Sequence, residues 1–188
     1  MFRRGLILMA ATAVAALFGV GEAGAVGPFT LSSSGFKDGE RLAVKNAGSN
    51  KANPNCVGEN VSPQLSWANP PEGTRSFALL MLDPEGRPPG GVSHFVAYGI
   101  PASATGFAEG ELSKASDKYV GGTSLMKLPT YSGPCTPAGA PHHYIFTLIA
   151  TDLEPSALKP GLTRDEVIKE LEGHARGATG LVGTFSHP

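Results

Sequence analysis

Ser76-Phe77-Ala78-Leu79-Leu80-Met81-Leu82-Asp83-Pro84-Glu85 decides the reading of this chain. Phe77 to Leu82 is an unbroken apolar run, too short to cross a membrane, and it stops on a carboxylate and a proline. Such a run, bounded by turn residues, predicts a strand buried on both faces. His94-Phe95 follows shortly. About fifty residues on, Tyr131-Ser132-Gly133-Pro134-Cys135-Thr136-Pro137 leads into His142-His143-Tyr144. Both segments set ionisable residues at the edge of a strand-like run, with Gly and Pro to shape loops. They are the material of a small polar pocket on a β scaffold.

The surroundings agree. Gly and Pro are spread along the whole sequence and punctuate short apolar runs, the pattern of a β-rich domain with many turns. Strands are expected over 29–33, 65–67, 76–82, 92–100 and 143–151. In the last of these, Tyr144, Phe146, Leu148 and Ala150 share one face. One helix is well marked. Thr163-Arg164-Asp165-Glu166 is a capping box, with Leu162 and Val167 as its hydrophobic staple. Val167, Ile168, Leu171 and Ala175 line one side, and Gly177 is the expected stop. His174 beside that face is expected to pack or cap. The segment 111–130 is polar and carries no clear pattern.

Residues 1–25 read as a cleaved leader. Arg3 and Arg4 precede an apolar stretch over 5–20, and Ala23-Gly24-Ala25 supplies the small-residue cleavage pattern. The mature domain is expected over 26–188, in the periplasm or secreted. Without the leader's Arg3, Arg4 and Glu22 the net charge is −2, His uncounted. No basic stripe is present, which argues against nucleic acid as a partner. Cys56 and Cys135 are the two cysteines. In an exported chain an even count predicts a disulfide, here tying the loop before Ser62-Pro63 to the Gly133-Pro134 loop.

Asp83 ends an apolar run, where a carboxylate is costly without partners. It is either a turn former or a pocket residue. His94 lies within a strand whose same face carries Val96 and Tyr98. An Asp83 carboxylate accepting from one of its ring nitrogens would fix the tautomer and favour the charged ring. His142 and His143 are neighbours on a strand and face opposite ways. His142, on the side of Tyr144, is the expected inward one. Enzyme readings find little support. Asp83, His94 and His142 could form a zinc site, but no H-x-x-x-H or H-E-x-x-H spacing accompanies them. Neither Ser93 nor Ser124 sits in a G-x-S-x-G elbow. No phosphate-cradling Gly loop occurs, and Asp83 with His94 has no evident nucleophile to serve. No enzyme activity, cofactor or metal is expected.

The ordered motifs resemble those of the phosphatidylethanolamine-binding protein family, or Raf kinase inhibitor-like proteins, in its exported bacterial branch. They are Asn60-Val61-Ser62-Pro63-Gln64-Leu65-Ser66-Trp67, Pro71-Glu72-Gly73-Thr74-Arg75-Ser76-Phe77-Ala78, Asp83-Pro84-Glu85, His94-Phe95, Ile100-Pro101-Ala102, Gly133 to Gly139 and His142-His143-Tyr144. The resemblance implies a mainly all-β fold: two antiparallel sheets in Greek-key order with a few peripheral helices, one near the C-terminus. It implies a pocket for phosphate-like anions or phospholipid head groups, formed by Asp83, Glu85, His94, Gly133, His142 and Tyr144. It also supports the Cys56–Cys135 bridge. The chain departs from the family pattern at Glu85-Gly86-Arg87, where D-A-P is usual, at Phe95 for Trp, and at Thr136 for Pro. The function expected is that of a binding or modulatory protein for a small phosphorylated ligand. An inhibitor of an exported hydrolase is the alternative, since some relatives inhibit proteases or kinases.

Overall fold

The computed structural model describes residues 27–188; the expected leader lies outside the described residues. Eight strands form two sheets. The small sheet runs β1 (Thr30–Ser32), β2 (Leu65–Ala68), β5 (Gly106–Phe107). The large sheet has the order β6 (Val120–Gly121), β4 (Val92–Pro101), β3 (Ser76–Asp83), β7 (His142–Thr151), β8 (Ala175–Phe185). All the strand pairs are antiparallel. In chain order β3, β4 and β6 are successive neighbours, and β7 returns by a long connection to lie beside β3. That is a Greek key.

β3 is the central strand and explains its own composition. Phe77, Leu79 and Met81 point into the core between the sheets, against Leu31, Leu65, Trp67 and Phe107. Ala78 and Leu80 point the other way, into a second cluster with Val96, Tyr98, Leu162, Val167 and Leu171. Both faces are covered, so alternation disappears from the sequence. The cover on the second face is the helix α1 (Arg164–Glu170), opened by the expected capping box: Thr163 accepts from the Glu166 amide, and Glu166 accepts from the Thr163 amide. Leu162 and Val167 are buried in one cluster, as a staple requires.

The helix is shorter than its sequence pattern predicts. It ends at Glu170, Gly173 takes a left-handed φ of 80°, and the chain turns into β8. Gly177 is therefore not a helix stop but a strand residue, and Ala175 belongs to β8 as well. Ile168 is turned outward. His174 bonds Asp152 across 2.8 Å on the surface rather than packing inward. β8 pairs with β7 along its whole length. Its open edge is blunted by residues 38–42, whose Gly39 and Leu42 amides donate to Val182 and Thr184. Segment 111–130 holds only a 3-10 turn and the two-residue β6.

Cys56 and Cys135 are bonded, with Cα atoms 4.3 Å apart. The bridge joins the loop before Ser62 to the loop that carries Gly133, as the cysteine count predicts.

Candidate functional site

Asp83 ends β3 while β4 and β7, its antiparallel neighbours, begin there. That end of the sheet therefore gathers residues far apart in sequence. Together with the 48–60, 84–91, 124–128 and 132–137 segments it encloses a cleft of about 680 Å³. Every residue named for the pocket from the sequence, Asp83, Glu85, His94, Gly133, His142 and Tyr144, lines it.

Asp83 is buried and fully used. Its Oδ1 accepts from the Glu85 and Gly86 amides at 3.0 and 2.9 Å, which folds the β3–β4 turn. Its Oδ2 meets His142 Nδ1 at 2.8 Å. Turn former and pocket residue are thus one role. The histidine it orients is His142, not His94. A carboxylate oxygen only accepts, so His142 donates from Nδ1 and carries Nε2 as its free nitrogen.

His94 reaches the cleft by a route invisible in the sequence. Met81 pairs with Phe95 and Leu82 with Ser93, so the register slips between them and His94 is left unpaired in a bulge. A bulge re-aims the side chain it carries. Phe95 faces the inter-sheet core and Val96 and Tyr98 the helix side, and His94 lies against Tyr144 instead of sharing the face of Val96 and Tyr98. Its ring stands edge-on to Tyr144, centroids 5.1 Å apart, and Nδ1 lies 2.8 Å from the Ser132 carbonyl. That carbonyl can only accept, so Nδ1 carries the hydrogen and Nε2 presents a lone pair. Burial pushes the His94 pKa below the usual 6.5, although the Ser132 carbonyl and the Asp83 charge pull upward. The free pocket therefore holds a neutral His94, not the charged ring expected from an Asp83 contact.

That depression makes stability pH-dependent. A buried neutral histidine binds its proton more weakly folded than unfolded. Its contribution is complete above about pH 6.5 and is lost as pH falls through the lowered value. Urea unfolding at about pH 7.5 and pH 5 should show a smaller acid loss in His94→Gln than in the wild type. Equal losses would mean that His94 is not held neutral.

Tyr144 is buried behind His94, its hydroxyl 2.6 Å from Thr136 Oγ1. Burial raises its pKa far above the usual 10, so it stays a phenol. Thr136, a departure from the family pattern, thus positions the tyrosine. Glu85 reaches across to β7: its carboxylate accepts from the His143 ring at 2.7 Å and the His143 amide at 3.1 Å. Desolvation raises Glu85, but those His143 hydrogen bonds outweigh it and hold its carboxyl below the usual value. His143 is outward, as strand alternation demands, yet partnered. Asp83, Glu85 and His142 offer ligand atoms within 4.8 Å of one another. A cation held by His142 Nδ1 would have to break the His142–Asp83 hydrogen bond. His94, which the zinc reading needed, is not of the three.

Gly133 lets the cleft wall pack closely. A Cβ there would lie 2.1 Å from the Asn46 carbonyl oxygen and 2.7 Å from the Ala47 carbonyl carbon. Its amide donates to Asn60 Oδ1 at 2.8 Å, while Asn60 Nδ2 donates to the Tyr131 carbonyl. Asn60 itself holds a left-handed φ of 58°, a conformation that asparagine tolerates. It is a site-shaping residue that sequence reading placed only within a motif. Gly133→Ala should cost about 2–3 kcal/mol by overpacking, read as a lower urea midpoint. A loss under about 0.5 kcal/mol would show that the 46–48 backbone yields freely.

A family model described as phosphatidylethanolamine-binding protein matches residues 32–186. A UPF0098 protein of Methanothermobacter thermautotrophicus is 36% identical over 132 residues, 69% of this chain and 85% of that one. Another, from Aquifex aeolicus, is 31% identical over 156 residues, 81% of this chain and 85% of its own. The crystal structure of Escherichia coli YbcL, described as a new member of the mammalian PEBP family, aligns with a TM-score of 0.75 at 28% identity, over 84% of this chain and 98% of that one. With its Greek-key sheet and the convergence of Asp83, His94 and His142 at one end, the chain belongs to the phosphatidylethanolamine-binding protein family.

Proposed function

We propose that this is an exported binding protein whose cleft takes a zwitterionic phosphate head group of the phosphoethanolamine type. The observation that carries the reading is the charge pattern of the cleft. His94, His142 and Arg87 line it, but Asp83 and Glu85 stand among them. A bare phosphate dianion would meet two carboxylates. A head group with phosphate at one end and ammonium at the other satisfies both signs, since unpaired charge is what a partly buried site penalises most. The leader-like residues 1–25 and the disulfide support export, because disulfides persist in oxidising compartments. Mass spectrometry of the secreted or periplasmic protein should find an N-terminus at Val26; an intact Met1 would sink that part.

A phosphate dianion can contact Nε2 of a neutral His94 only if that ring takes up a proton. Binding of 2-aminoethyl phosphate is therefore expected to weaken as pH rises from about 5 to 8, with proton uptake measured by calorimetry in buffers of different ionisation enthalpy. An affinity flat over that range would remove the histidine from the anion contact. The head-group reading itself is tested by amide shifts on titration with 2-aminoethyl phosphate. They should centre on Asp83, His94, Gly133 and Tyr144, and be lost in His94→Ala. No shifts at millimolar ligand would overturn it.

A further inference from the structure

Among the described residues four side chains carry sulfur, and the fold leaves one of them open to an oxidant. Cys56 and Cys135 are already joined, so neither offers a thiol. Met81 lies in the middle of β3, fully buried in the core between the sheets. Met1 and Met9 fall in the expected leader. Met126 is 50% exposed, more than any other large apolar side chain among the described residues.

The surroundings of Met126 make its oxidation a contained event. Leu125 and Leu128 beside it are also exposed, and the three form an apolar ridge on the rim of the cleft. The ridge is built from backbone and serine contacts. The Leu125 amide donates to the Ser93 carbonyl at 3.0 Å, which ties the ridge to β4. The Lys127 amide donates to the Ser124 carbonyl at 2.9 Å, and Ser124 Oγ to the Leu128 carbonyl at 3.2 Å. Lys127 takes a left-handed φ of 55° at the crest. None of these bonds uses the Met126 side chain, so its thioether can change without releasing the loop.

We propose that Met126 is a reversible oxidation site: hydrogen peroxide converts its thioether to the sulfoxide, the fold persists, and the ridge turns from apolar to polar. A sulfur lone pair attacks one peroxide oxygen and the O–O bond breaks as the S–O bond forms. The departing hydroxide takes the hydrogen left on the transferred oxygen and leaves as water. Sulfur loses two electrons and the peroxide gains them. The sulfoxide is polar and chiral, and it stands between two leucines; reductases specific for each epimer restore the thioether. An exported chain meets such oxidants outside the thiol pool of the cytosol. The chemistry is independent of the ligand that the cleft takes.

The test exposes the mature protein to hydrogen peroxide and follows peptide masses with time. Met126 should gain one oxygen at a rate within about fivefold of that of an unstructured methionine peptide, because oxidation follows exposure. Met81 reacts only through global unfolding, a state populated at about 10⁻³ or less, so its oxidation should be at least about a thousandfold slower. The oxidised protein should keep the wild-type thermal midpoint and elute earlier from a hydrophobic-interaction column. Methionine sulfoxide reductases of both epimer specificities should return it to its first position. Met126→Gln should elute early without peroxide, and Met126→Leu should elute late with or without it. Equal oxidation of the two methionines, or a Met126 rate about a hundredfold below that of the free peptide, would overturn the site. A thermal midpoint that falls when Met126 alone is oxidised would overturn the contained change and make the event damage. Retention unaltered by oxidation would overturn the change in polarity.

Discussion

Replacing both Cys56 and Cys135 by serine is expected to destabilise the fold by roughly 4 kcal/mol, the value for releasing a covalent loop of this length in the chain-entropy model. The bridge spans 79 positions and so constrains the unfolded chain strongly. Its loss should also reach the cleft, because both cysteines are part of its wall. Gly48 sits tight against them: a Cβ there would meet Cys135 Sγ at 2.5 Å. Two serine hydroxyls would replace the bonded sulfurs and leave the 48–60 loop held by hydrogen bonds such as Gly48 to Pro134. Urea unfolding of the double variant, beside the wild type with and without reductant, measures the effect. A loss below about 1 kcal/mol would mean that the unfolded chain is already compact across this span.

Asp83→Ala is expected to remove binding altogether and to cost about 2–3 kcal/mol of stability. Three donors converge on this carboxylate, the Glu85 and Gly86 amides and the His142 ring, and alanine leaves each without its acceptor. Asp83→Asn separates the two roles. Its amide oxygen can still take the two backbone N–H groups and hold the turn. Its NH₂ cannot accept from His142, so Nδ1 must turn acceptor and the ring hydrogen moves to Nε2, without a carboxylate to hold a charged ring. The asparagine variant should therefore keep most of its stability but bind 2-aminoethyl phosphate roughly 10- to 100-fold more weakly, the worth of a charged hydrogen bond. Asparagine and alanine variants equal in stability would refute the turn role. Wild-type affinity in Asp83→Asn would refute the orienting role.

The contrast between β3 and β8 shows what the sequence could and could not reveal. β3 and β7 are legible because long apolar runs face buried surface, and α1 because its cap is written in side chains. β8 was not, since Gly177, Gly180 and Gly183 break its pattern. The packing explains two of them. A Cβ at Gly183 would lie 2.7 Å from Leu42, and one at Gly177 2.8 Å from Pro71. Close approach of the N-terminal segments removes the side chains that would have announced a strand. The lining of the cleft was legible in the sequence, but its wiring was not. Asp83, His94 and His142 are all there, yet which histidine the carboxylate holds depends on a bulge at residue 94. Strand periodicity alone predicts no bulge. The reach of Glu85 to His143 and the anchoring of Tyr144 by Thr136 likewise depend on distances across the sheet. The ridge at Leu125 to Leu128 lay in a stretch without periodicity and gave no signal of its own.

The order of strands in the large sheet also bears on the timing of assembly. β3 meets β4 within about a dozen residues, but its other flank waits for β7, and β7 waits for β8. A chain emerging from a ribosome or a translocation pore thus carries an open-sided central strand until β7 has emerged at Thr151, and β7 in turn keeps a bare edge until synthesis has passed Phe185. The sheet cannot close earlier, because Phe185, which is fully buried, is in the last strand to arrive. For most of its emergence the chain presents Phe77 to Leu82 with one edge bare. A holding chaperone that binds short apolar segments would find its clearest target in that run.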